Sequence, residues 1–362
     1  MRLPPTIEGV GTNIAAFAGV TERGPDQPTL LASWADYQNA FGGYLPETVS
    51  YLPFAVQGFF ENGGREVYVS RVAAAGGSST GDAGAEAAHV SALAAIEALP
   101  DVSLVAVPDE VRFASGRVTA ALVAQCDRLK NRFGIVSAPR GLADITQVKP
   151  PADSMQAAFY YPWIEVAHPV SGLPLRLPPS GHVAGLIARV DEARGVYKAP
   201  ANEAVRAATG LEFTITDGMQ QTLAPRGVNV IRDFRNADRG IVLWGARTMS
   251  SDSEWKYINV RRFFVFVEQS IDTGLQWVGF EPNGEPLWAL VKSSIENFLS
   301  AQWRSGALMG AKPSEAFYVR CDRTTMTQDD IDNGRLIGIA GIAPVRPAEF
   351  VILRFSHKTA GS

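Results

Sequence analysis

Residues 103–137, SLVAVPDEVRFASGRVTAALVAQCDRLKNRFGIVS, carry two short apolar runs, Ser103–Val107 and Gly134–Ser137. Between them Arg117–Arg132 repeats its apolar residues at helical spacing. Strand, helix, strand is the unit of a parallel sheet, because parallel neighbours need a crossover of helix length. Working outward, Ala85–Leu99 is Ala-rich and reads as a helix, and Glu66–Val72, with Val67 and Val69 on alternate positions, reads as a strand. Thr48–Asn62 places Leu52, Ala55, Val56, Phe59 and Phe60 on one helical face and stops at Gly63-Gly64. Asn13–Val20 is a short apolar run of buried-strand type. The fold class is mixed α/β.

The rest of the chain is read the same way. Gly76–Gly84, GGSSTGDAG, has no apolar residue larger than Ala and is expected to be a solvated domain boundary. Pro-rich Leu173–Pro179 is expected to be irregular, and Ser180–Val190 helical. From Phe213 onward strands are expected to dominate, with Val228–Arg232 and Gly240–Trp244, followed by a long helix starting near Tyr257. Pro286–Trp303 is a further helix, with Leu287, Leu290, Val291, Ile295, Phe298 and Leu299 on one face. Ala348–Phe355 closes the chain as a strand. Strand-like segments near both ends need pairing partners, either in their own sheet or in a neighbouring copy.

Composition narrows the function classes. The 362 residues fit two domains, or one with a large insertion. Hydrophobic residues are 46% and charged residues 19%, against about 25% in typical domains, so the core is large and the charged surface sparse. Apolar surface left over suits contact with other copies. The net charge of −4 gives no field for phosphate backbones, so nucleic acid is not an expected partner. No apolar run reaches membrane-span or signal-peptide length, so no membrane contact and synthesis in the cytoplasm are expected. Cys126 and Cys321 lie far apart and indicate neither a disulfide framework nor a zinc cluster.

Motifs of chemistry fail on inspection. Glu8–Ile14 starts like a dinucleotide fingerprint but lacks the third glycine and precedes a strand. Asp330-Ile331-Asp332-Asn333-Gly334 resembles a calcium loop, yet its glycine comes one residue early and Gly341 stands where the bidentate Glu belongs. His89, His168, His182 and His357 have no ligand-spaced partner, and no Gly-x-Ser-x-Gly elbow occurs. Glu281-Pro282-Asn283 reads as a turn. No catalytic residue, cofactor or metal is expected.

Other motifs, taken in order, carry a resemblance. Ala16-Phe17-Ala18-Gly19, Arg23-Gly24-Pro25, Phe41-Gly42-Gly43 and Phe60–Gly64 come first, then Pro178–Gly185, Ala188-Arg189, Asp191, Arg194-Gly195-Val196 and Lys198–Asn202. Val228–Arg232, Trp244–Thr248, Tyr257–Arg262 and Phe280–Asn283 follow, and Ile342-Ala343-Pro344 with Arg346–Phe350 complete the set. Nearly the whole chain resembles the contractile tail sheath family of phages and phage-tail-like injection particles. The resemblance implies a structural subunit that stacks as six-membered rings around an inner tube and contracts from a metastable extended state. Its implied partners are neighbouring sheath subunits, the tube protein, and baseplate and terminal cap proteins. A soluble α/β enzyme with a dispersed site and a non-contracting tail component are the alternatives.

The same resemblance sets expectations for the layout. Residues 1–20 form an N-terminal arm and first strand, 21–75 the first part of the conserved domain, and 76–200 an inserted outer α/β domain. Residues 201–346 form the conserved tube-facing domain, and 347–362 an arm donating a strand to a neighbour. The inter-subunit arm residues are then Ile7, Val10 and Ile14 at one end and Glu349, Phe350, Val351, Ile352, Leu353, Arg354 and Phe355 at the other. Family members usually carry a further strand segment before the Ile-Glu-Gly-Val-Gly element, so either the donated N-terminal strand is short here or the natural product starts upstream. Asp329, Asp330 and Asp332 open a short helix, where they complement the helix dipole or face basic residues of the tube. Arg247, Arg261 and Arg262 are expected to hold structural contacts within or between subunits.

Overall fold

A computed structural model describes residues 6–73 and 83–349. The chain starts with strand β1 (Ala15–Thr21), strand β2 (Thr29–Leu31), helices α1 (Trp34–Phe41) and α2 (Leu52–Glu61), strand β3 (Val67–Ala73) and helix α3 (Ala83–Ala95). Next come β4 (Leu104–Ala106), α4 (Arg117–Leu129), β5 (Phe133–Ser137), β6 (Ala157–Tyr161), β7 (Ile164–Ala167), β8 (Pro174–Leu177) and α5 (Ser180–Arg194). Short β9 (Glu203–Ala204) and β10 (Ala208–Leu211) lead to α6 (Asp217–Leu223), β11 (Val228–Asp233) and β12 (Ile241–Trp244). The last part is mainly helical: α7 (Ile258–Gly274), α8 (Glu285–Arg304), α9 (Pro313–Ala316), β13 (Phe317–Arg320), α10 (Gln328–Asp332) and β14 (Ile339–Ile342).

Nine strands form one sheet in the order β2-β3-β1-β4-β5-β6-β11-β12-β9. The run from β3 to β11 is parallel, and the outer strands β2, β12 and β9 are antiparallel. A parallel sheet is covered on both faces, so its strands read as continuous apolar runs. Alternate residues go to opposite sides: Ala15, Phe17, Leu104 and Ala106 face one core with α2 and α5, while Ala16, Ala18, Val105 and Val107 face another with α3 and α4. A third core, built on α7, α8 and β13, belongs to the C-terminal helices.

The sheet changes three expectations. Residues 76–200 are not a separate inserted unit, since β4 of that stretch pairs with β1 and β6 pairs with β11. The small-residue segment at 76–84 is therefore no boundary in the sheet, and 76–82 lie outside the described residues. Leu173–Pro179 contains strand β8, which opens at Pro174 on the edge of the small sheet β10-β7-β8, where a missing N–H costs no ladder bond. From Phe213 onward strands do not dominate: the expected strands β11 and β12 are followed by the expected long helix, α7, and by the expected α8, so helices make up most of this part. The expected last strand, Ala348–Phe355, falls outside the described residues from Phe350 onward.

Helices α2 and α5 cross at backbone distance. A Cβ on Gly185 would lie 2.1 Å from the Phe59 carbonyl oxygen, and one on Gly181 would lie 2.4 Å from that of Ala55. Gly58 similarly leaves room for the buried His182 ring, whose burial pulls its pKa down to about 4 and keeps it neutral. Glu110, in the turn Pro108–Arg112 that follows β4, is buried and accepts a 2.9 Å hydrogen bond from the Ser137 N–H. Burial pushes its carboxyl up to about 8.

Two tests follow from these contacts. Gly185→Ala forces the helices apart and is expected to lower unfolding free energy by about 1–3 kcal/mol in denaturant titrations. Gly218→Ala, in α6 with open space around it, is expected to gain about 0.5–1 kcal/mol. The second test concerns pH. Between its ordinary value of 4.5 and about 8, native Glu110 holds a proton that the unfolded chain has released, so stability falls as pH rises. His182 works in the opposite sense, costing stability as pH drops from 6.5 toward about 4. Above pH 6.5 only Glu110 of the two acts. Melting temperature is expected to decline from pH 6.5 to 8, and Glu110→Gln to flatten the decline; an equal slope in the variant contradicts this account.

Candidate functional site

Open α/β sheets bind ligands where the strand order reverses, beyond the carboxyl ends of the strands. Here that place lies between β1 and β4, and it is filled. Fully buried Asp109 accepts hydrogen bonds from the Tyr51 N–H at 2.7 Å, Ser50 Oγ at 2.8 Å and Arg112 Nε at 2.9 Å. Arg112 also donates to the carbonyls of Thr48 and Glu47 and lies 4.1 Å over the Tyr51 ring. His89 Nε2 is 3.7 Å from Asp109 Oδ2. Burial opposes the charge on Asp109, but the neighbouring His89 ring, the Arg112 cation and the Tyr51 N–H together hold its carboxyl below the usual range. A Cβ on Gly19 would already touch Asp109 at 3.1 Å. The Asp109 carboxylate is thus committed to Tyr51, Ser50 and Arg112, while the buried His89 Nε2 beside it has no hydrogen-bond partner.

The remaining candidates for chemistry are also occupied. His89 Nδ1 lies 2.8 Å from the Ala85 carbonyl, and His168 Nδ1 accepts the N–H groups of Val170 and Ser171 in the β7–β8 turn. Cys126 and Cys321 are buried, and burial raises both thiols, Cys126 to about 12. Among the described residues no group of His, Cys, Asp and Glu could hold a metal ion, and no helix is long and apolar enough to cross a membrane.

The three arginines hold contacts inside the subunit. Arg262 forms a buried two-pronged pair with Asp191 at 2.9 and 2.6 Å and also donates to the Thr12 carbonyl at 2.7 Å. Arg261 donates to Gln156 Oε1 at 2.9 Å and to Glu268 at 3.1 Å. Arg247 grips Glu349 through Nε at 2.6 Å and Nη2 at 2.7 Å. The sequence offers the arginines and Asp191 as motif residues, but no local spacing pairs Asp191 with Arg262, 71 positions away.

The arm residues fall differently from expectation. Ile7 is 5% exposed in the C-terminal core, where Gly274 makes room for it. The Val10 N–H donates to Ser270 Oγ at 3.1 Å, and the Ile14 carbonyl accepts from Ser103 and Leu104 at 3.0 and 3.1 Å. These three residues therefore form a strap across their own subunit, because α7 and the start of β4 supply the partners. Glu349 likewise turns inward; Phe350, Val351, Ile352, Leu353, Arg354 and Phe355 lie outside the described residues.

Asp330 caps α10 in a capping box with Thr327, and the Thr327 hydrogen bonds hold its carboxyl low, at about 2. Arg335 bonds both Asp329 and Asp330, and Asp332 accepts from Gln328 Nε2 at 2.8 Å. The Asp329 side chain keeps 76% of its surface exposed. Sequence reasoning missed the hairpin β13–β14, although the alternation Phe317-Tyr318-Val319-Arg320 signals it. It forms a two-stranded sheet of its own and leaves Tyr318 and Ile339 exposed at 53% and 46%.

The phage tail sheath protein central domain matches residues 82–249 and the phage tail sheath C-terminal domain residues 250–358, together about three quarters of the chain. The chain is 34% identical to the helical sheath of the anti-feeding prophage in its contracted state, with a TM-score of 0.81 and coverage of 98% of this chain and 96% of that one. It is 31% identical to the PVC sheath complex of an extracellular contractile injection system in the contracted state, with a TM-score of 0.84 and coverage of 99% and 95%. The tail sheath protein of Vibrio phage KVP40 is 26% identical over 183 residues, 49% of this chain and 26% of that relative. The aligned part spans about a quarter to a third of the curated relatives' length. With these likenesses running over nearly all of its length, the chain belongs to the contractile tail sheath family.

Proposed function

We propose that the protein is the structural subunit of a contractile sheath. It polymerises as stacked six-membered rings around an inner tube and contracts from a metastable extended state, driving the tube through a target envelope. The observation that carries this reading is the near full-length likeness to two contracted sheath structures. A switch between two packings of one chain needs no nucleotide, since the free energy difference lies in the contacts of the two lattices. The filled crevice at Asp109 supports a non-enzymatic role, against a soluble α/β enzyme.

Residues 347–362 act in this reading as an arm that adds a strand to a neighbour, and the sheet β13–β14, which pairs with no third strand among the described residues, is a fitting acceptor. The exposed carboxylates of Asp329 and Asp332 face the tube protein, a contact that salt screens. Baseplate and terminal cap proteins bind the two ends of the cylinder. The subunit is made in the cytoplasm, contacts neither nucleic acid nor membrane itself, and leaves as part of a particle.

Electron microscopy of the stained, purified protein tests the reading. Long hollow cylinders with a helical repeat are the expected result; uniform small particles contradict it, and closed single rings point instead to a non-contracting tail component. Asp329→Asn with Asp332→Asn, leaving the Asp330 cap intact, is expected to reduce co-assembly with tube protein at moderate salt while the fold is kept. Unchanged co-assembly removes α10 from the tube contact.

A further inference from the structure

An exposed apolar knob and an open apolar groove lie at opposite ends of the large sheet. The knob is the turn His168–Leu173 between β7 and β8, where Val170 and Leu173 are 77% and 67% exposed. No Asp, Glu, Lys or Arg stands between Glu165 and Arg176. The turn is braced from within: the His168 N–H donates to the Leu173 carbonyl at 2.7 Å and the Gly172 N–H to the His168 carbonyl at 2.8 Å. His168 Nδ1 accepts the Val170 and Ser171 N–H groups at 3.1 and 3.2 Å. Trp163, which leads into β7, donates to the Ala138 carbonyl just past β5, and the His168 ring packs 5.6 Å from that of Phe54 in the first turn of α2. That turn of α2 also lies at the carboxyl ends of the parallel strands, since Tyr51 before it binds Asp109 beyond the end of β4. The groove opens at the amino ends. It has a volume of about 360 Å³ and is lined by Val10, Ile14, Val102, Phe133, Val265 and Phe266. Ile14, Val102 and Phe133 stand where β1, β4 and β5 begin, and α7 supplies the last two. The cations along it have partners inside the subunit: Arg262 on Asp191 and Thr12, and Arg132 on the carbonyls of Ile96 and Leu99 at 2.9 and 2.8 Å. Its carboxylate, Asp101, is exposed and accepts from Tyr68 Oη at 3.1 Å.

We propose that Val170 and Leu173 of one copy dock into the groove between α7 and the starts of β1, β4 and β5 on a second copy of this chain, a head-to-tail contact made by the folded bodies rather than by the chain ends. The inference rests on the sheath reading above, which places many copies in one lattice. A second copy is the occupant because the chain supplies both halves of the contact. Complementary patches at opposite ends of one molecule cannot meet within it. Between copies they form a heterologous contact, which repeats into an open polymer instead of closing as a symmetric dimer. An uncharged apolar tip also suits a groove whose cations are already paired, because docking it leaves no buried charge without a partner. The braced turn lowers the entropic cost of binding, since its conformation is set before contact.

Cross-linking of the full-length protein tests the contact. Cys126 and Cys321 are buried and stay out of the reaction. Gln269 in α7 contributes to the wall of the groove. Under a mild oxidant, a mixture of Val170→Cys protein and Gln269→Cys protein is expected to give disulfide-linked pairs containing one of each, and a chain carrying both substitutions a ladder of multimers. Pairs made only of Val170→Cys copies overturn the proposal, and so does a double variant that stops at dimers, which marks a symmetric contact. Absence of any cross-link overturns it as well and leaves the groove to another occupant. Val170→Ser with Leu173→Ser gives the second readout. Exposed side chains hold little of the fold, so the melting midpoint is expected to stay within about 2 °C of the parent protein while the concentration at which cylinders appear rises about tenfold. Cylinders at the parental concentration in this variant contradict the contact and leave the sheath reading intact; a parent protein that forms no cylinders removes both.

Discussion

A single guanidinium joins three parts of the chain. Arg262, near the start of α7, is paired through both terminal nitrogens with Asp191 at the end of α5 and bonds the Thr12 carbonyl of the N-terminal strap. Both side chains are nearly solvent-free, at 4% and 1% exposure. Taking such charges out of water is costly, and only a complete set of hydrogen bonds offsets it, so removing one partner typically costs about 3–5 kcal/mol. The helical C-terminal part has its own core, which Ile7 and Val196 enter, and Ile258 at the start of α7 packs into the core of the sheet. Arg262–Asp191, helped by Arg261–Gln156, the Ile7–Ile14 strap and the Arg247–Glu349 pair, adds directional ties between the two parts.

That division of labour fits a subunit that must move as a body. Apolar packing fixes the interior of each part, while directional polar ties set the geometry between them. The crevice where this sheet type ordinarily binds ligands is closed by the Asp109 network, so the fold's usual chemical opportunity is given over to rigidity. The surface of the C-terminal part carries the two-stranded sheet β13–β14 and the exposed acidic helix α10.

The legible part of the fold is the part governed by local pattern. β4, α4 and β5 were readable because fully buried parallel strands are unbroken apolar runs and the helix between them has one apolar stripe. The same logic found β1, α2, β3, α5 and α8. It failed where long-range pairing decides. The small residues at 76–84 suggested a boundary, yet the strands on either side enter one sheet. Ile7, Val10 and Ile14 looked like a free arm because only the folded subunit reveals α7 beneath them. Asp191 stands among the motif residues but nothing local pairs it with Arg262, and the Arg247–Glu349 pair spans 102 positions. The contractile tail sheath family was legible because its motifs recur in order along nearly the whole chain. Which residues touch a neighbour is a property of the lattice and has no local spacing to read.

The account stands on the claim that a few buried polar ties, with Arg262–Asp191 foremost, couple two separately packed bodies. Scanning calorimetry of Arg262→Met with Asp191→Leu tests it most directly, since the double replacement leaves no unpaired buried charge. Two separate transitions, where the parent protein shows one, are the expected result, with the C-terminal helices melting first. A single transition at the parental temperature contradicts the claim and assigns the coupling to packing alone.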